Sequence, residues 1–256
     1  MTALDRATIE RLISVLDHTS LGEDDTPAMI EALCRDAAAG ATRPAAVCIY
    51  PEHIATAQRA LDAAGARQVA VATVVNFPDG ANNPGRALRE TRRAIAAGAD
   101  EIDLVFPWRA YVGGDREAGP LMLQQCKVSC GARPLKVILE TGELADPLLI
   151  REVCEAALDA GADFVKTSTG KGRVGATLDA AQVMLECVRA RDRGGFKAAG
   201  GIRTLAQAAD YLDLAERICG AGWAKPGRFR IGSSALLAEA RAALDLTPPA
   251  GSRMRS

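Results

Sequence analysis

Five charged residues interrupt apolar runs in this chain: Asp17, Asp103, Lys136, Lys166 and Lys197. The most telling is Lys166. It closes the run Ala162-Asp163-Phe164-Val165 and is followed by Thr167-Ser168-Thr169-Gly170-Lys171. The run reads as a short strand buried on both faces, where a lysine is costly unless it has a task. Taken singly, a strand lysine is ordinarily solvated or snorkelling, and a strand aspartate is ordinarily a paired structural residue. Five together suggest a shared interior in which two negative and three positive charges compensate one another. Unpaired, each would cost several kcal/mol.

Two lysines in one interior have a chemical use. An amine attacks a carbonyl only when neutral, and at a reference pKa of ~10.4 roughly one lysine in a few thousand is neutral at pH 7. A second ammonium ~4 Å away costs about 4 kcal/mol at an effective dielectric of about 20, enough to bring an amine's titration close to neutral pH. Lys166 and Lys197 form the natural pair, and the residues alone leave open which is the nucleophile. Proton transfer needs a carboxylate, for which Asp103 is the first candidate and Asp17 the second. A second feature suits an anion. Gly200-Gly201 follows the Lys197 run, and Gly232-Ser233-Ser234 precedes a helical stretch. Glycine-rich loops and a helix start in these places form a phosphate site, to which Gly170 and Lys171 would add an amide and a cation.

The elements that must position these residues follow a rhythm. Ala39-Gly40-Ala41, Ala64-Gly65-Ala66, Ala97-Gly98-Ala99, Cys130-Gly131-Ala132 and Ala160-Gly161-Ala162 each follow an alanine-rich helical stretch and precede a β-branched run. Glycine there suits a helix C-cap. Thr26-Pro27, Asn83-Pro84 and Asp146-Pro147 mark helix starts. In the last of these helices Leu149, Val153, Ala156 and Ala160 fall on one face, with Arg151, Glu155 and Asp159 on another. The strands are expected at Leu12 to Leu16, Ala45 to Ile49, Val69 to Val75, Glu101 to Val105, Leu135 to Leu139, Asp163 to Val165, Phe196 to Ala199 and Phe229 to Ile231. Eight strands alternating with helices predict a single α/β domain, a (β/α)8 TIM barrel, over residues 1–246. An open doubly wound sheet is the runner-up, and no Gly-x-Gly-x-x-Gly turn follows the first strand to favour it. Residues 247–256, rich in proline and polar residues, read as a flexible tail.

Composition excludes several classes. The 256 residues carry a formal charge of -1, with no long basic run and few aromatic residues, so no nucleic-acid partner is expected. No apolar run approaches the ~18 residues that span a bilayer, and the N-terminus lacks a signal-peptide pattern. Seven scattered cysteines without a Cys-x-x-Cys pair fit a reducing cytoplasm, and two histidines argue against a histidine-based metal site. Cys48 is read as a small buried apolar residue.

Taken as a set, several segments resemble the deoxyribose-phosphate aldolases, the class I aldolases of deoxynucleoside breakdown. They are Leu16 to Leu21, Val47 to Pro51, Asn76 to Gly80, Gly98 to Val105, Leu135 to Gly142, Phe164 to Lys171, Lys197 to Thr204 and Arg230 to Ser234. The resemblance implies that Lys166 forms a Schiff base, that Lys197 perturbs it and relays protons, and that Asp103 is the proton-transfer carboxylate. Asp17 and Lys136 match supporting positions. It implies a phosphorylated sugar as substrate, no metal or organic cofactor, and a homodimer. Two departures stand out: Ala198 replaces a frequent proline, and the chain ends Arg255-Ser256, without the tyrosine that assists proton transfer in some members. A Schiff-base barrel acting on another phosphorylated sugar, or a silent phosphate-binding barrel, are the rival readings.

Overall fold

The glycines of the repeated triplets, Gly40, Gly65, Gly98, Gly131 and Gly161, all adopt positive φ as the chain leaves a helix for the next strand. The structure, a computed structural model, describes residues 4–246; the tail expected over 247–256 lies outside them. The first half runs α1 (Arg6–Ser14), β1 (Leu16–Thr19), α2 (Pro27–Ala38), β2 (Ala46–Ile49), α3 (Ile54–Ala63), β3 (Ala70–Val75), α4 (Pro84–Ala96) and β4 (Glu101–Val105). It continues with α5 (Trp108–Val112), α6 (Ala118–Cys130), β5 (Leu135–Ile138), α7 (Thr141–Leu144), α8 (Pro147–Asp159) and β6 (Phe164–Lys166). Last come α9 (Leu178–Arg191), β7 (Gly195–Ala199), α10 (Leu205–Cys219), β8 (Phe229–Ser233) and α11 (Leu236–Leu246). Thr26, Asn83 and Asp146 cap α2, α4 and α8 by accepting from the backbone N–H groups of Met29, Arg86 and Leu148.

The strands pair in parallel and in chain order, and β8 closes on β1, giving the (β/α)8 barrel that the sequence predicts. Two expectations need correction. The run Leu12 to Leu16 is mostly helix: Asp5 caps α1, and Ile9, Leu12 and Ile13 meet the core at helical spacing, so β1 begins only at Leu16. Of the expected face on α8, Val153 and Ala160 are buried and Leu149 and Ala156 only partly so, because the main buried stripe is Ile150, Val153, Cys154, Ala157 and Leu158. That set follows the i, i+3, i+4, i+7, i+8 pattern more fully than the one containing Leu149 and Ala156.

Alternation along the strands divides the molecule into two environments. One set of side chains, including Val47, Val71, Ile102, Val137, Val165, Phe196 and Ile231, joins the main apolar core with the helices. The other set faces the barrel axis. There β2 and β3 supply small residues, with Ala46, Cys48, Ala72 and Val74 forming a separate cluster. The strands from β4 to β8 supply long charged ones.

Candidate active site

The charged residues that the sequence singles out converge in the barrel interior. Register places them: Asp103 pairs with Lys136 across β4 and β5, Lys166 with Lys197 across β6 and β7, and Lys197 with Arg230 across β7 and β8. Paired residues of neighbouring parallel strands share a face, so the three cross-strand pairs fix the cluster. Lys136 Nζ lies 2.7 Å from Glu101 Oε2, 2.7 Å from Asp103 Oδ1 and 3.9 Å from Asp17 Oδ2. Lys197 bridges Asp17 Oδ2, in a short contact, and Asp103 Oδ2 at 2.8 Å. Arg230 reaches Asp17 Oδ1 at 2.6 Å and grips Glu101 with both terminal nitrogens, at 3.2 and 2.8 Å. Lys166 has one ion pair among the described residues, with Asp103 Oδ2 at 2.8 Å.

Glu101 and Arg230 were not singled out in the sequence, yet both belong to this network. Including them, four basic groups meet three carboxylates. Lys166 is the most weakly held of the four bases, and it lines the cavity at the C-terminal end of the strands, although only 3 % exposed. Gly232 makes room for its neighbour: a Cβ there would lie 3.2 Å from Lys197 Cε.

The electrostatics separate the roles. Burial alone would raise the Asp103 carboxyl, but Lys136, Lys166 and Lys197 override it and hold it well below the usual range. Asp17 is likewise driven down, by Lys197, Arg230 and Lys136 against its burial. Burial works against the Lys197 ammonium, yet Asp103 and Asp17 together raise its pKa. Lys136 behaves in the same way, with Asp103 and Glu101 overcoming desolvation. Lys197 is therefore a fixed cation. The sequence argument, built on repulsion between two ammonium groups, left out the carboxylate oxygen of Asp103 that both lysines share. Cys48 is buried beside this network, and desolvation pushes its thiol up, in keeping with an apolar reading.

Above Lys166 opens a cavity of about 380 Å3. Gly170, Lys171, Gly200, Gly201, Ser233 and Ser234 all line it, joined by Thr19 at the end of β1, Ser20 to Gly22 after it, Thr169 and Arg203. The two serines differ. The Ser233 hydroxyl donates to the Ile202 carbonyl and accepts from Ala235 and Leu236 N–H at the start of α11, whereas Ser234 is exposed. Thr167, between Lys166 and the cavity loop, is tied to β7: its hydroxyl donates to Ala199 O and accepts from Ala199 N. Lys171 Nζ donates 2.7 Å to Leu21 O across the cavity. Among the described residues, no three His, Cys, Asp or Glu side chains are grouped so as to hold a metal ion, and no helix is long and apolar enough to cross a membrane.

The molecule is a closed (β/α)8 barrel whose interior holds buried lysines and carboxylates beneath a glycine- and serine-lined cavity. Residues 11–238 match the DeoC/LacD family aldolase pattern, and the chain belongs to that family. It is similar to a provisionally named deoxyribose-phosphate aldolase of Toxoplasma gondii ME49, at 26% identity and TM-score 0.88, covering 96% of this chain and 97% of that one. A provisionally named deoxyribose-phosphate aldolase of Coccidioides immitis gives 27% identity and TM-score 0.80, over 94% and 88% of the two chains. The deoxyribose phosphate aldolase of Aeropyrum pernix, described as having a unique tetrameric structure, shares the fold at 24% identity and TM-score 0.74, over 93% and 91%.

Proposed function

We propose that this aldolase is a class I enzyme that reversibly cleaves 2-deoxy-D-ribose 5-phosphate to acetaldehyde and D-glyceraldehyde 3-phosphate, with Lys166 as the Schiff-base lysine. The observation that carries the reading is the charge count. Three buried carboxylates balance three bases, and Lys136, Lys197 and Arg230 each hold at least two carboxylate contacts. The fourth base, Lys166, is in surplus and faces the cavity. An interior is cheapest when its charges cancel, so Lys166 is the base that the network can best spare for chemistry.

Neutral Lys166 attacks the aldehyde carbon to give a carbinolamine, and loss of water gives an iminium ion. Asp103, anionic and next to Lys166 Nζ, takes the C3 hydroxyl proton through a water molecule as the C2–C3 bond breaks. The bond's electron pair passes to the iminium, leaving an enamine. Protonation of the enamine and hydrolysis then release acetaldehyde and restore the amine. Lys197 orients Asp103 by holding its Oδ2 beside Lys166. The phosphate sits at Gly170, Lys171, Gly200, Gly201 and the α11 start, away from the bond that breaks, so its binding energy supports orientation.

We further place the enzyme in the cytoplasm, as its seven free cysteines suit, and as a homodimer on the strength of the resemblance. The test of function is direct. Purified protein should release glyceraldehyde 3-phosphate from 2-deoxyribose 5-phosphate with a chelator present, and Lys166→Leu should lower kcat by at least about a thousandfold. Turnover retained by that variant would refute the assignment.

A further inference from the structure

The turn after β5 carries a buried carboxylate that the mechanism does not use. Glu140 is 5 % exposed, and its side chain forms no ion pair among the described residues. Its backbone is left-handed, at φ 58°, a conformation that is costly for a non-glycine residue. Its carboxylate accepts from Thr169 N at 3.2 Å and from the Thr169 hydroxyl at 2.6 Å. That hydroxyl in turn accepts from Lys171 N at 3.0 Å. A carboxylate is acceptor-only, so it fixes the direction of this relay. The threonine proton points to Glu140, and a lone pair is left for the Lys171 amide. Thr169, Gly170 and Lys171 are the residues that the β6–α9 loop presents to the cavity.

The neighbouring backbone shows how closely the two turns fit. A Cβ on Gly142 would collide with the Val174 carbonyl, and one on Gly172 would touch the carboxylates of Glu140 and Glu143. On its other side the loop is anchored to β7, where Ala176 N donates to Gly200 O at 3.0 Å. The β5 turn is thus one jaw of a clamp on the loop, and Glu140 is its polar contact.

We propose that Glu140 is a positioning residue that sets the anion-binding loop for the phosphate of a phosphorylated substrate, acting through Thr169 on Gly170 and Lys171. This rests on the functional reading above for the identity of the substrate, and on geometry alone for the anion.

The test compares wild type with Glu140→Ala, Glu140→Gln, Thr169→Val and Thr169→Ser. The readouts are kcat/KM for 2-deoxyribose 5-phosphate, kcat/KM for unphosphorylated 2-deoxyribose, and affinity for inorganic phosphate by calorimetry. In Glu140→Ala and Thr169→Val, the preference for the phosphorylated sugar should fall by about tenfold or more, through KM rather than kcat. Phosphate affinity should fall by a similar factor. Glu140→Gln, whose amide donates where the carboxylate accepts, should rescue only in part, and Thr169→Ser should rescue most of the effect. Equal losses on both sugars, or unchanged phosphate affinity, would overturn the proposal. A wild-type protein inactive on 2-deoxyribose 5-phosphate would instead sink the substrate assignment, and the phosphate titrations would still decide the role of Glu140.

Discussion

An identical amine ends Lys166 and Lys197, and the surroundings set the two apart. Lys197 lies between two carboxylates, and both raise its pKa. Lys166 has one carboxylate, shared with Lys197, and a cavity on its other side. The two therefore should respond oppositely to removal. Lys197→Leu leaves Asp17 and Asp103 undercompensated in a closed interior and should destabilise the protein by about 3–5 kcal/mol. Lys166→Leu removes the base with the fewest carboxylate contacts and should leave stability unchanged or slightly higher while activity disappears. Urea denaturation of both variants, side by side with turnover, measures the contrast. The lysines, Asp17 and Asp103 were visible in the sequence because each interrupts an apolar run. Glu101 opens its run instead of interrupting it, and Arg230, though flanked by Phe229 and Ile231, was not singled out. Glu101 follows Asp100 at a strand start, and Arg230 follows the turn-like Lys225-Pro226-Gly227-Arg228. Nothing in their local spacing shows that they meet across 129 positions of chain.

Elements were legible where caps and glycines punctuate them, as at α2, α4 and α8, and less so where apolar content alone had to choose. Leu12 to Leu16 was expected as strand because a short apolar run fits either period. The packing of β1 also carries a consequence for acid stability. His18 alternates with the inward-facing Asp17 and is buried among groups that include Asp36 on α2 and Arg241 on α11, with its Nδ1 unpartnered among the described residues. Burial lowers its pKa from 6.5 to about 4. The unfolded chain takes up a proton near pH 6.5 that the native state refuses until about pH 4. Stability from this group is thus complete above pH 6.5 and is lost as pH falls through that window, by roughly 3 kcal/mol in all. Urea midpoints recorded between pH 7 and 4 should show this slope, and His18→Gln should flatten it.

The molecule as a whole reverses a common plan. Its apolar core lies between sheet and helices, while half of the barrel interior is an ion network, accommodated because β2 and β3 contribute small side chains. Such a network is expensive to break. Arg230→Met removes a partner from both Asp17 and Glu101 and should cost about 3–5 kcal/mol in urea denaturation. Because Asp17 and Asp103 are held below the usual carboxylate range, what they contribute is complete above about pH 4 and is lost only as pH falls further. Acid unfolding should therefore show a shallow histidine stage followed by a steeper carboxylate stage. The eightfold rhythm that frames the network was readable from the glycine-ended helices; its charge balance became countable only once the barrel had closed.

The most direct measurement of the central claim is borohydride reduction in the presence of acetaldehyde, followed by peptide mass mapping. The account expects a single reduced two-carbon adduct on Lys166, absent from Lys166→Leu. An adduct on Lys197 or Lys136 instead, or none on any lysine, would contradict it.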